Sequence, residues 1–342
     1  MYKRVVSEIG SEFWPVQRTG DVRYFLTGRT ALEIIIRDIL AEHDIKSVLM
    51  PSYCCHTMIM PFVLHDIKVR FYDVYYDDGL CAELPDPSDN EILFIIHYFG
   101  YEKLAGLDNI RNNWRIIIED QTHSWLTIKK SEADYSFISY KKWFEVSGIA
   151  KAIKRSGRFI DVPLFEHNVF NDFRERAFLL KKQYIESGKG EKKTFLDLFN
   201  RAEELIETDY CNYRPSVNSF EQMLKLDKEQ LIDTRRRNAA MLIDGLKGIS
   251  EITLIWELGM KDVPLCVPIL VPYGRNGLRK YLIENNIFLP VHWPLSNYHK
   301  EISDRARMLY NQELSVVCDQ RYGLGDMMRI ISSIETYYRS NC

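Results

Sequence analysis

Residues 115–123 read RIIIEDQTH, and residues 134–142 read DYSFISYKK. Each segment opens on a short apolar run and ends in polar residues able to do chemistry. Ile116 to Ile118, like the ILFII run at 92–96, is apolar on both faces, as expected of parallel strands covered by helices on either side. Around these runs the chain alternates. Thr30 to Glu42 sets Leu32, Ile35, Ile36 and Leu40 at helical spacing, and Ser47 to Met50 is a short apolar run halted by Pro51. Thr57 to Leu64 reads as a helix, Val69 to Val74 as a strand, Ile110 to Trp114 as the end of a helix, and Asp134 to Ser139 as another β segment. The alternation predicts an α/β fold with a mostly parallel sheet between helices. Beyond it, residues 170–187, 195–208 and 219–246 read as long charged helices, with an exposed loop at 188–193. Residues 252–256 and 267–271 are β-like, 277–285 and 326–338 helical. That change of pattern predicts a large domain over residues 1–246 and a smaller α+β domain over 247–342.

Composition narrows the function classes. The chain has 342 residues, enough for two domains at about 100 to 200 residues each. Its 46% hydrophobic content is that of an ordinary globular protein. A formal net charge of -3 denies it the basic field that nucleic-acid binding depends on. No apolar stretch approaches the roughly 20 residues that span a bilayer, and the first residues, MYKRVVSEIGSEFW, lack a secretion signal's apolar core, so a cytoplasmic, non-membrane protein is expected. The 7 cysteines are scattered without CxxC spacing, which argues against a disulfide framework or a zinc site. No metal is expected.

In open α/β sheets ligands gather beyond the carboxyl ends of the parallel strands. Four stretches qualify: TGRTAL at 27–32, PSYCCH at 51–56, EDQTH at 119–123 and SYKK at 139–142. Gly28 stands ahead of a helix whose first N–H groups are free to receive a phosphate, and Thr30 adds a hydroxyl. Asp120 ends a strand where a carboxylate is desolvated unless it meets a cation or donors. A lysine in a poorly solvated site, here Lys141 or Lys142, can lose its proton and act as a nucleophile. Singly each has an ordinary explanation: a helix entry, a cap, solvated charge. Together they are the three groups that pyridoxal 5′-phosphate (PLP) needs, one for its phosphate, one for its pyridine nitrogen and one for its aldehyde.

At these residues the sequence resembles the DegT/DnrJ/EryC1/StrS family, the sugar aminotransferases of PLP fold type I. The likeness runs through GSEFW, TGRTALEIIIRDI, VLMPSYCC, IIHYFG, IIIEDQTHS, DYSFISYKKWF with Gly148 after it, and CDQRYGLGDM. It implies a seven-stranded-type sheet, PLP as cofactor, and transfer of an amino group from an amino acid such as glutamate to a nucleotide-linked keto-sugar. Asp120 matches the partner of the pyridine nitrogen, and His123 the residue at the ring 3′ oxygen. Ser139, with Gly28, Arg29 and Thr30, matches the phosphate contacts, and Lys142 the Schiff-base lysine. The spacing of serine, any residue, basic residue, lysine favours Lys142, with Lys141 as the alternative. Cys55 occupies the place where many relatives stack an aromatic ring on the cofactor, leaving Tyr53 or His56 to substitute. Asn212, Arg214 and Asn218 lie where the family sends a loop across a homodimer to the neighbouring site. The glycine-rich stretch that follows the family's lysine is reduced here to Ser147 and Gly148, which keeps open another PLP reaction on a sugar nucleotide, such as dehydration, or a binding protein that has lost catalysis.

Overall fold

The computed structural model describes residues 20–102, 104–107, 113–127 and 131–341. GSEFW and residues 110–112 of the expected helix end lie outside them. The first half of the chain builds strands β1 (Asp21–Phe25), β2 (Ser47–Pro51), β3 (Lys68–Tyr76), β4 (Leu80–Glu83), β5 (Glu91–Ile96), β6 (Ile116–Asp120), β7 (Tyr135–Ser139) and β8 (Ala150–Lys154), with helices α1 (Gly28–Glu42) and α2 (His56–Leu64) among the early ones. They form one sheet in the order β1-β8-β7-β6-β5-β2-β3-β4. Its middle, β7-β6-β5-β2-β3, is parallel throughout. Strands β8, β1 and β4 close its edges through antiparallel ladders. Seven strands therefore make the expected sheet, and β4 adds an eighth through a tight turn, where Asp78 and Gly79 take φ of 52° and 138°.

The order reverses beside β2: the chain passes to β3 and β4 on one side, then returns to β5 on the other. Such a switch point opens a crevice at the carboxyl ends of the strands. The central strands β2 and β5 are buried along their whole length, which is what their two-faced apolar sequence requires. Helix α1 starts sharply because the Thr27 hydroxyl accepts the Thr30 N–H at 3.1 Å. Its Leu32, Ile35, Ile36 and Ile39 then pack into the core of the sheet.

After β8 come β9 (Phe165–Glu166), the paired helices α3 (Asn168–Ser187) and α4 (Lys192–Thr208), β10 (Tyr213–Arg214), α5 (Val217–Lys225) and α6 (Lys228–Leu246). The single helix expected over 219–246 is thus two. Asp227 breaks it by accepting the Gln230 N–H at 3.0 Å, an N-cap that restarts the helix as α6. The remainder comprises β11 (Thr253–Leu254), β12 (Cys266–Leu270), α7 (Arg275–Glu284), α8 (Asp304–Gln312), β13 (Glu313–Val317) and α9 (Leu324–Asn341). A second apolar core forms here, where the three-stranded sheet β11-β12-β13 is covered by α7 and α9 and by Ala239, Leu242, Ile243 and Leu246 of α6. Helix α8 instead sends Ala306, Leu309 and Tyr310 back into the core of the large sheet. Arg235 of α6, 2% exposed, joins the two parts by donating to the carbonyls of Pro264, Leu265 and Trp143. Among the described residues no helix is long and apolar enough to cross a membrane.

Candidate active site

A cleft of about 220 Å³ lies at the carboxyl ends of β6 and β7, and Gly28, Asp120, His123, Ser139, Lys141 and Lys142 all line it. Residues far apart in sequence meet here because parallel strands deliver their ends to one edge.

Asp120 closes β6, where its backbone pairs with Ile96 of β5. It is 2% exposed, and its carboxylate accepts the Thr122 N–H at 2.8 Å. Burial pushes its pKa up to about 6, against the opposing effect of the Thr122 hydrogen bonds and of His97 and Lys142. Among the described residues no cation lies within ion-pair distance of this carboxylate; His97 and Lys142 act on it from farther off. Two residues on, the Thr122 hydroxyl accepts the Ser139 N–H at 3.1 Å, and its carbonyl accepts the indole N–H of Trp143 at 2.6 Å. The ends of β6 and β7 are thereby fixed to one another.

His123 is 3% exposed, and its Nδ1 has no hydrogen-bond partner among the described residues. Its ring stacks on Trp293 at 5.4 Å and lies 5.1 Å from the ring of His292. Burial, then His292 and Lys142, hold its pKa well below the usual imidazole range, so the ring is neutral at pH 7. A buried, neutral, unpartnered nitrogen on a cleft wall calls for a polar group from a ligand.

At the other end of the cleft Gly28 begins α1, whose first N–H groups have no acceptor within the helix. A Cβ at Gly28 would stand 3.2 Å from the Cβ of Ser139, so glycine keeps this corner open. Thr30 is not part of the cleft as the sequence suggests. Its hydroxyl is spent inside the fold, donating to the Tyr210 carbonyl at 2.6 Å. The Arg29 guanidinium also turns aside, donating to the carbonyls of Ile206 and Glu207 at the end of α4 and lying over the Tyr210 ring. Arg29 nonetheless lines the cleft.

The two lysines differ. Lys141 donates to both carboxylate oxygens of Glu203 at 2.9 Å. Lys142 is exposed to the cleft, and among the described residues its amine makes no hydrogen bond or ion pair. Its charge nonetheless reaches Asp120, His123 and His292, whose pKa values it lowers.

Tyr53 does not face the cleft. It is fully buried in an aromatic group with Tyr98, Trp293 and Tyr310, and its hydroxyl donates to the His292 carbonyl. Cys55 does line the cleft, with its thiol pKa lowered by hydrogen bonds from His56 and Thr57 against the opposing pull of burial. Asn212, Arg214 and Asn218 are not in this chain's cleft: they contact Arg37 at 2.8 Å, Glu166 at 2.9 Å and Glu175 at 2.9 Å. Glu203 and Trp293 are cleft residues that the sequence reading missed. The signal for Trp293 was the run Pro290-Val-His-Trp-Pro294, an aromatic and an imidazole fixed between two prolines in a stretch without charge.

Comparison with protein-family models and with curated proteins finds no match. Comparison with solved structures finds many. The sugar aminotransferase CalS13 from Micromonospora echinospora aligns over 92% of this chain and 87% of its own at 14% identity, with a TM-score of 0.61. A DegT DnrJ EryC1 StrS aminotransferase from Brucella abortus aligns over 92% and 85% at 17% identity and a TM-score of 0.56. Spr1654 from Streptococcus pneumoniae, described in its PLP form, aligns over 92% and 86% at 13% identity and a TM-score of 0.59. This chain has the fold of those proteins, the α/β architecture of PLP fold type I.

Proposed function

We propose that this protein is a PLP-dependent aminotransferase that moves an amino group from an amino acid such as glutamate to a nucleotide-linked keto-sugar. The observation that carries this reading is the meeting, in one cleft, of a helix N-terminus beside Ser139 with three groups that lack a counterpart among the described residues: the carboxylate of Asp120 without an ion-pair cation, the neutral Nδ1 of His123 without a hydrogen bond, and the amine of Lys142 with neither. The fold shared with proteins described as sugar aminotransferases supports it, as does a structural neighbour described in PLP and PMP forms.

Bound PLP supplies an aldehyde that condenses with amines and a pyridinium ring that draws electron density from an attached amino acid. The residues present fit it. The N–H groups of Gly28 and Arg29, with the Ser139 hydroxyl, would hold the phosphate. Asp120 would hold the protonated ring nitrogen, which is the cation its buried carboxylate lacks. His123, uncharged, would meet the ring oxygen. The Lys142 amine would anchor the aldehyde and, when free, would take a proton from the amino acid's Cα and hold it for return. Trp293 holds the His123 ring in place and, with Cys55, bounds the remaining space. The same proposal includes a homodimer in which Asn212, Arg214 and Asn218 serve the second copy's cleft.

Glutamate added to the PLP-loaded protein is expected to convert the bound cofactor to its pyridoxamine form, with one 2-oxoglutarate released per site. A spectrum unchanged by glutamate and by every other amino donor rejects the assignment. Gly28→Ala is expected to weaken PLP retention, because the new methyl group would stand 3.2 Å from the Ser139 Cβ and fill space in the corner that glycine keeps open, at a cost of about 1 to 3 kcal/mol. Equilibrium dialysis against PLP measures it. Retention equal to that of the unmodified protein would show that the phosphate does not sit there.

A further inference from the structure

Lys141 and Lys142 line the same cleft, so position alone does not select between them. We infer that Glu203, braced by Arg174, makes the selection: it holds Lys141 as an ion-paired ammonium and leaves the Lys142 amine as the cleft's nucleophile. The inference rests on the proposed function for its consequence, and on the geometry alone for its cause.

Glu203 lies on α4 and grips the Lys141 amine with both oxygens at 2.9 Å. One of those oxygens also accepts from Arg174 of α3 at 3.0 Å. Arg174 is 8% exposed and enclosed by the rings of Phe170, Phe178 and Phe199 at 5.8, 5.2 and 5.4 Å. It further donates to the carbonyl of Val146, in the segment just after the lysines. The carboxylate is thus anchored by Arg174 at the wall of the cleft. A bidentate, charge-assisted pair favours the ammonium form of its partner, here with the Lys141 side chain 20% and the Glu203 side chain 48% exposed.

The consequence is chemical. An amine joins an aldehyde through its nitrogen lone pair, with loss of one water as the C=N bond forms, and an ammonium has no lone pair to offer. Burial pulls the Lys141 pKa down, and Glu203 is the principal group opposing that pull. The Lys141 pKa is lowered on balance even with Glu203 present, so without Glu203 Lys141 becomes a half-buried amine that has lost its main counter-charge, and hence a competing nucleophile beside Lys142. Glu203 is accordingly a positioning residue that acts through Lys141.

The test is competitive labelling of folded, cofactor-free protein with trace acetic anhydride, read by mass spectrometry of the peptides bearing each lysine. In the unmodified protein Lys142 is expected to label at least about tenfold faster than Lys141, the minimum contrast for one charge-assisted hydrogen bond. Glu203→Gln is expected to raise Lys141 labelling by about tenfold while Lys142 changes little, and Glu203→Asp to stay nearer the parent. In a second arm, PLP followed by borohydride is expected to label Lys142 in the parent and to divide between both lysines in Glu203→Gln. Equal labelling of the two lysines in the parent overturns the inference even if no variant folds, as does slow Lys141 labelling in Glu203→Gln. A labelling contrast in a protein that retains no PLP upholds the inference and rejects the proposed function instead.

Discussion

Lys142→Ala is expected to abolish the covalent absorption band of the PLP-loaded protein and to lower amine transfer by roughly 100- to 10,000-fold, the usual contribution of a positioned proton-transfer group. The loss is expected to exceed that of any other single change at the cleft, because in the proposed function this one amine both anchors the cofactor and carries the proton. Lys142 is exposed and pairs with nothing among the described residues, so its removal leaves the fold intact. Thermal melting should therefore stay within a few degrees of the parent. Visible spectra, turnover and melting together separate the outcomes: full turnover in Lys142→Ala, with the absorption band intact, assigns the covalent bond elsewhere.

Asp120→Asn is expected to act in opposite directions on stability and on cofactor retention. In the cofactor-free protein the Asp120 pKa is about 6 against an ordinary value of 3.8. A carboxyl whose folded-state pKa is raised keeps its proton in the folded chain over a pH range where the unfolded chain has lost it. Below pH 3.8 both states are protonated and no penalty exists; it grows between pH 3.8 and about 6, and is complete above that range. At pH 7 it amounts to about 3 kcal/mol. Asn removes the titration, so cofactor-free Asp120→Asn should melt a few degrees above the parent at pH 7, with the difference vanishing as the pH falls below 4. With PLP present the sign reverses: the ring nitrogen loses its counter-charge, and retention should fall by about 3 to 5 kcal/mol, the cost of breaking a buried ion pair. A variant that is both less stable without cofactor and equally retentive with it contradicts this account of Asp120.

The parts of the fold that were legible in sequence are those whose residues repeat one physical instruction. Ile92 to Ile96 and Ile116 to Ile118 can only be strands buried on both faces, and the polar residues that follow them can only stand at a sheet edge. Strand β8 was not legible, because its sequence AKAIK carries a lysine where the core-facing alternation expects an apolar residue. That lysine, Lys154, is 5% exposed and is neutralised by Asp38 at 2.7 Å and Glu42 at 2.9 Å, partners supplied by α1 from far away in the chain. Strand β13 hid for a similar reason, since Glu313 is wholly buried with its pKa pushed up to about 8, an uncharged carboxyl that composition counts as acidic. At the cleft, Asp120, His123, Ser139 and the lysines sit on consecutive strand ends and were found. Glu203 arrives from the helical pair α3 and α4, and Trp293 from the segment between α7 and α8 that packs into the core of the large sheet, and no local pattern announces a contact made by tertiary packing. Thr30 and Tyr53 were of the right type in the right stretch, but hydrogen bonds to the carbonyls of Tyr210 and His292 hold their side chains inside the fold.

The account turns on one cleft holding one PLP through the amine of Lys142. Incubating the protein with PLP, reducing with borohydride, digesting and sequencing the fluorescent peptide tests it most directly. The label is expected on Lys142, within the segment that runs from Ser139 to Phe144. No labelled peptide at any PLP concentration, or a label on any lysine other than Lys142, would contradict it.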